Sequence, residues 1–148
     1  MQRWSFVTLV LLSSCSSKPQ DVTVDDLGVT LTVPGNWSVK KRGESEVAIM
    51  SGMDGVILRR ERTPAATLAE AREALVQGAK IREEKQLPSG GFLFDYDTNF
   101  GTPEKPMMLR TVTSVLRTPT GTVSCQLQLQ ADQDAAPIVA ACASMRPK

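Results

Sequence analysis

Between Val123 and Gln130 the chain alternates without a break. Val123, Cys125, Leu127 and Leu129 fall on one side, and Ser124, Gln126, Gln128 and Gln130 on the other. Successive side chains point to opposite faces only in a strand, so a period of two over eight residues fixes the local structure. One side is apolar and the other polar, which is the pattern of an antiparallel sheet covered on one face. The rest of the chain must therefore supply the covering layer.

Other segments repeat this pattern between turn signals. Gly28 to Val33 alternates over six positions and ends at Pro34-Gly35-Asn36, a turn. Trp37 to Arg42 reads as the next strand, with Trp37 as a core aromatic and Val39 on its side. Glu44 to Met50 and Val56 to Glu61 flank the Asp54-Gly55 turn. Lys80 to Leu87 is charged, with Ile81 as its main apolar anchor. After the turn at 88–91, Phe92, Phe94 and Tyr96 give one aromatic side, while Asp95 and Asp97 make the other acidic. A loop at 99–106 leads to a long strand from Met108 to Arg117, which turns at Pro119-Thr120-Gly121 into Val123.

Two segments switch to helical spacing. Thr67 with Glu70 forms a capping box, in which each side chain satisfies an amide that the first turn leaves open. Leu68, Ala71, Leu75 and Ala79 then form one apolar stripe, and Gly78 marks the end. Near the C-terminus, Asp132 or Asp134 serves as cap and Pro137 sits in the first turn, where its missing amide costs little. Ile138, Val139, Cys142 and Met145 share one side of that helix. The expected class is α+β: a largely antiparallel sheet with one mid-chain helix and one C-terminal helix packed on it.

The strand running into Val33-Pro34-Gly35-Asn36-Trp37 and the terminal helix Ile138 to Met145 resemble the Mog1/PsbP-like family over roughly residues 27–146. That resemblance implies an α/β/α sandwich that binds proteins or assists assembly, with no shared catalytic residues to carry over.

The N-terminus has a different character. Met1 to Cys15 reads MQRWSFVTLVLLSSC: one basic residue, an apolar run from Trp4 to about Leu12, then small residues and a cysteine. This has the length of a secretory signal and is too short to span a bilayer as a mature helix. Leu12-Ser13-Ser14-Cys15 resembles the lipobox of bacterial lipoproteins. The resemblance implies that residues 1–14 are removed and that Cys15 becomes the lipidated N-terminus, anchoring the protein to the membrane. It also implies, with Ser16 rather than Asp following the cysteine, an outer-membrane location facing the periplasm. Residues 15–26 then read as a tether. It ends near Gln20 if Val22 and Val24 open an edge strand. Residues 27–148 make a single globular domain.

Cysteine arithmetic agrees with this reading. Of three cysteines, lipidation of Cys15 leaves an even pair, Cys125 and Cys142. Each lies on the apolar side of its element, so a helix packed on that sheet aims the sulfurs at each other. A disulfide closing a loop of this size stabilises by about 3 kcal/mol in the chain-entropy model. A redox pair would ordinarily show closer spacing, and a metal site would need further ligands.

The chain contains no histidine, which removes Ser-His-Asp and Cys-His triads and most zinc sites. Phosphate-cradling and nucleophile-elbow motifs are missing as well. Loss of residues 1–14 removes Arg3 and no acid, leaving 16 basic against 16 acidic residues. Such neutrality argues against a nucleic-acid partner. Asp95 and Asp97, with Glu104 in the following loop, are the candidates for carboxylate chemistry or a divalent cation. Their alternative is a solvated side opposite the aromatics. Lys40, Lys41 and Arg42, and Arg59, Arg60 and Arg62, read as solvated strand positions, or else as a local patch for an acidic partner. The expected function is a non-enzymatic, lipid-anchored envelope module without cofactors that binds an envelope protein or assists assembly. An inhibitor or immunity lipoprotein and a carboxylate enzyme or metal binder are the alternatives.

Overall fold

The computed structural model describes residues 17–62, 67–130 and 132–148. The expected signal segment 1–14 and the expected lipidation site Cys15 lie outside the described residues. Among the described residues, ten strands and two α-helices follow one another. They are β1 (Gln20–Val24), β2 (Val29–Val33), β3 (Ser38–Lys41), β4 (Glu46–Ser51), β5 (Asp54–Glu61), α1 (Leu68–Leu75), β6 (Lys80–Gln86), β7 (Phe92–Asn99), β8 (Met108–Thr118), β9 (Gly121–Leu129), α2 (Ala136–Ala143) and β10 (Arg146–Pro147).

Seven strands form one sheet in the order β3-β4-β5-β9-β8-β7-β6, every neighbour antiparallel. A second sheet has the order β1-β2-β10, also antiparallel. The class is α+β. Along β9, Val123 and Cys125 are fully buried, Leu129 nearly so and Leu127 partly, while Gln128 is exposed; the expected open side is nonetheless closed at Ser124, which is fully buried and donates its hydroxyl to Glu61 Oε1. Register carries that side across the large sheet. Cys125 lies opposite Leu58 and Ser114, and Leu58 lies opposite Val47. The small sheet and α2 cover this side. Val29, Leu31 and Val33 of β2 meet Ile138, Ala141 and Cys142 of α2 in the main core. At about 25 cal/mol per Å² of apolar surface removed from water, burial of this layer is the main favourable term in folding.

The other side of the large sheet is covered at one end. Phe92, Phe94 and Val115 pack with Ala71 and Val76 of the α1 segment into a smaller core. Helix α1 starts where the capping box places it: the Thr67 hydroxyl accepts from Glu70 N–H, and the Glu70 carboxylate accepts from Thr67 N–H. It ends at Leu75, before Gly78.

Several boundaries differ from expectation. Strand β1 takes up Gln20–Val24, the edge strand that Val22 and Val24 allow, and Asp25–Leu27 is a 3-10 turn. Trp37 is 4% exposed and belongs to the core, but Val39 is 49% exposed because β3 is an edge strand with all four residues open to solvent. The charged segment after α1 is strand β6, whose outer edge has no neighbour in the sheet. Helix α2 ends at Ala143, so that Arg146 joins β10 and meets Asp21 of β1 through a 2.6 Å ion pair. Neither Asp132 nor Asp134 is its N-cap: that position is Ala135, with no side-chain cap, although Asp134 Oδ1 accepts from Ala136 N–H at 3.0 Å.

Candidate functional site

The carboxylates come first because they carried the catalytic alternative. On β7 the Asp95 and Asp97 side chains share the side that also buries Leu93, facing α2 rather than α1. They are 3% and 8% exposed, so the expectation of a solvated acidic side is overturned. Each is neutralised by an arginine from a neighbouring strand. Arg110 of β8 grips both oxygens of Asp95, Nε donating to Oδ1 at 2.9 Å and Nη2 to Oδ2 at 2.6 Å. Arg82 of β6 donates through Nε to Asp97 Oδ2 at 2.8 Å.

A register shift in β6 between Ile81 and Glu83 makes Arg82 an extra residue. Such a bulge re-aims a side chain, here toward Asp97. The hydrogen bond from Arg110 to Asp95, with the nearby charges of Asp95, Asp97 and Asp134, raises the guanidinium pKa further, against a smaller opposing effect of burial. A two-point arginine–carboxylate bond holds both groups in fixed orientation.

Glu104 does not join them. It sits exposed in the loop beyond β7. Among the described residues, no group of three or more Asp, Glu, Cys or His side chains is placed to hold a metal ion. Asp95 and Asp97 thus have the geometry of structural ion pairs that let a sheet side bury charge.

The basic runs are exposed except for half-buried Arg60, and several of their members are engaged locally. Lys41 pairs with Asp26, and Arg59 with Glu46 at 2.7 Å. Arg60 donates to the carbonyls of Thr120 and Asp26.

The unusual surface is on α2. Its eight residues, Ala-Pro-Ile-Val-Ala-Ala-Cys-Ala, include no polar side chain. Ile138, Ala141 and Cys142 turn inward. Ala136 and Ala140 are exposed, and Pro137, Val139 and Ala143 partly so. A helix lying on a domain normally carries polar residues outward, and one that is apolar all round is normally covered all round.

The helix is rigidly placed. The Cys125 and Cys142 sulfurs are 2.09 Å apart, joining β9 to α2. The Ser114 hydroxyl donates to the Cys142 carbonyl at 2.8 Å. Ser144 Oγ accepts from Thr32 N–H at 2.8 Å and donates to the Ala141 carbonyl at 2.7 Å.

A groove runs along each flank of α2, and Ala140 lines both. Toward β6–β8 the groove has a volume of 540 Å³, with Val139 and Ala143 on one wall and Glu83, Lys85, Asp95 and Arg110 on the other. Toward β2 it has 340 Å³ and is mostly apolar, bounded by Pro19, Val33, Pro34 and Pro137. The apolar outer side of α2 was readable in the sequence, since eight successive residues without a polar group leave nothing to face water. The stripe of Ile138, Val139, Cys142 and Met145 identified only the inward half. The partners of Asp95 and Asp97 were not readable, because they depend on register and on a bulge.

A scan against protein-family models and a search of the curated proteins both find no match for this chain.

Proposed function

We propose that this chain is a non-enzymatic, lipid-anchored envelope lipoprotein whose domain docks a partner protein over α2. The observation that carries the docking is the apolar outer side of α2 with a groove on each flank. The helix is held by the core, the disulfide and Ser144, so it presents a preformed surface. A rigid apolar ridge beside a wall of fixed charges suits a partner segment that offers small apolar side chains against the ridge and polar groups toward Glu83 and Lys85. The anchor rests on the lipobox at Leu12-Ser13-Ser14-Cys15. Export to the outer membrane, facing the periplasm, follows from Ser16. The resemblance to the Mog1/PsbP-like family supports a binding or assembly role over the inhibitor alternative. Engagement of Asp95 by Arg110 and of Asp97 by Arg82 speaks against the carboxylate enzyme.

The test is crosslinking in intact cells from a photoreactive side chain at position 140, with the exposed position 117 at the far end of β8 as control. A partner captured at 140 and not at 117, and lost in an Ala136→Arg variant that keeps the fold, is the expected result. Equal capture at both positions, or none at 140 where a control lipoprotein complex is captured, refutes docking over α2.

A further inference from the structure

Strand directions bring several connections to one end of the molecule. Strands β2, β4, β7 and β9 finish there, and β3, β5 and β8 begin there. This end holds the turn after β2, the turn between β4 and β5, the loop between β7 and β8, and the segment leading into α2. It also receives the start of the described chain. Gln20 lies opposite Val33 at the end of β2, and its side-chain amide donates to the Trp37 carbonyl at 3.0 Å. The Ser17 hydroxyl donates to Asn36 Oδ1 at 3.1 Å. Ser17 and Lys18 lie so close to the turn that a Cβ on Gly35 would collide with the Lys18 carbonyl oxygen.

The chain is therefore held against the domain from Ser17 onward, and only two peptide links separate Ser17 from Cys15. Two residues span at most about 7 Å. A lipid on Cys15 leaves this end of the domain no room to stand away from the bilayer.

The same end carries most of the exposed apolar bulk. Among the described residues five large hydrophobic side chains are exposed, and Met53, Phe100, Met107 and Met108 are four of them. Phe100 and Met107 are neighbours, the Phe100 N–H donating to the Met107 carbonyl at 2.9 Å, and Met108 lies opposite Asn99. Met53 is about 15 Å away, three strand spacings across the sheet. Contiguous apolar side chains on a soluble surface mark a contact site.

From these two observations we infer that this end is a membrane-contact surface: the domain sits on the lipid surface through Phe100, Met107, Met108 and Met53, with the first turn of α2 beside it, since Pro137 and Met53 line one cavity. The inference rests on the proposed anchor at Cys15. Charged groups at this end include Lys18, Lys80 and Lys105 beside Asp54, Glu104, Asp132 and Asp134. With no excess of cationic groups among these, attraction to anionic headgroups is not the driving force, so the contact is apolar and salt does not release it.

The test uses the full-length lipidated protein in vesicles of phosphatidylethanolamine and phosphatidylglycerol whose acyl chains carry bromine, a contact quencher of indole. Trp37 is the only tryptophan beyond the signal segment. Phe100→Trp and, at the opposite end, Arg117→Trp each add one reporter. Brominated lipid is expected to cut the added Phe100→Trp emission roughly two-fold, as for a side chain ~5–10 Å into the headgroup boundary. It should leave Arg117→Trp unchanged and give the same result in high salt. Equal quenching of both reporters, or of neither, in protein whose Cys15 carries lipid by mass spectrometry overturns this inference alone. Cys15 without lipid overturns the anchor and this inference with it.

Discussion

Helix α1 begins at a reciprocal capping box between Thr67 and Glu70, whereas α2 begins at Ala135 with no side-chain cap. Helix α1 has an apolar stripe and charged residues outward, including Arg72, which binds Glu84 of β6 through two hydrogen bonds. Helix α2 has no charged residue at all. Yet α2 is the more firmly placed. It buries Ile138, Ala141 and Cys142 in the main core and is crosslinked to β9, while α1 rests on a small cluster around Phe94 and Val115. Local sequence defines the first helix, and tertiary contacts define the second. A helix defined from within can spare its outer side for charge. One defined from beneath can leave its outer side apolar and open to a partner.

Four measurements would break or sharpen that contrast. Ile138 is fully buried under the small sheet. Ile138→Ala is expected to cost about 4 kcal/mol, read as a lower denaturant midpoint for the whole domain; a change confined to α2 amides would show that α2 is not integral to the core.

Joint Cys125→Ala and Cys142→Ala substitution should cost about 3 kcal/mol, and reductant should reproduce the loss in the parent. Stability indifferent to reductant would mean that packing alone holds α2.

Thr67→Ala removes half of the capping box and should cost about 1 kcal/mol. Because α1 rests on a small cluster, the effect is expected as faster amide exchange over 68–75, with the large sheet unchanged.

The smallest effect concerns the tie between β1 and the C-terminus. A hydrogen bond from the Thr32 hydroxyl, assisted by Arg146, holds the Asp21 carboxyl below the ordinary aspartate value of 3.8. The folded state thus favours the charged form. Its contribution is present above that ordinary value and is lost as pH falls through the lower folded one. Thermal midpoints should fall less steeply under acid in Asp21→Asn than in the parent, and identical slopes would remove Asp21 from the account.

Much of the fold was legible because it is written locally. Alternation in β2 and β9, the turns at Pro34-Gly35-Asn36 and Pro119-Thr120-Gly121, and the Thr67–Glu70 box each need only neighbouring residues. The pairing of Cys125 with Cys142 followed from two local assignments and one packing rule. What escaped depends on distant chain. Val39 reads as core until β3 is known to be an edge strand. Asp95 and Asp97 read as wet until the bulge at Arg82 and the register of Arg110 supply their counter-ions. Strand β10 is two residues long and exists because β2 offers it an edge. The outer side of α2 was in plain view as composition, but periodicity draws attention to what is buried and passes over what is left outside.

The hydroxyl of Ser144 has a consequence for how the chain reaches this structure. It joins β2 to the end of α2 across 112 residues, and Lys148 N–H donates to the Gly28 carbonyl. A ribosome delivers the N-terminus first, so β1 and β2 must wait for the residues of α2 and β10 before their covering layer closes. Pairings between such remote parts of a chain form slowly. The first strands to emerge are therefore the last to be locked. The domain stays open until the segment from α2 through β10 is free to close it.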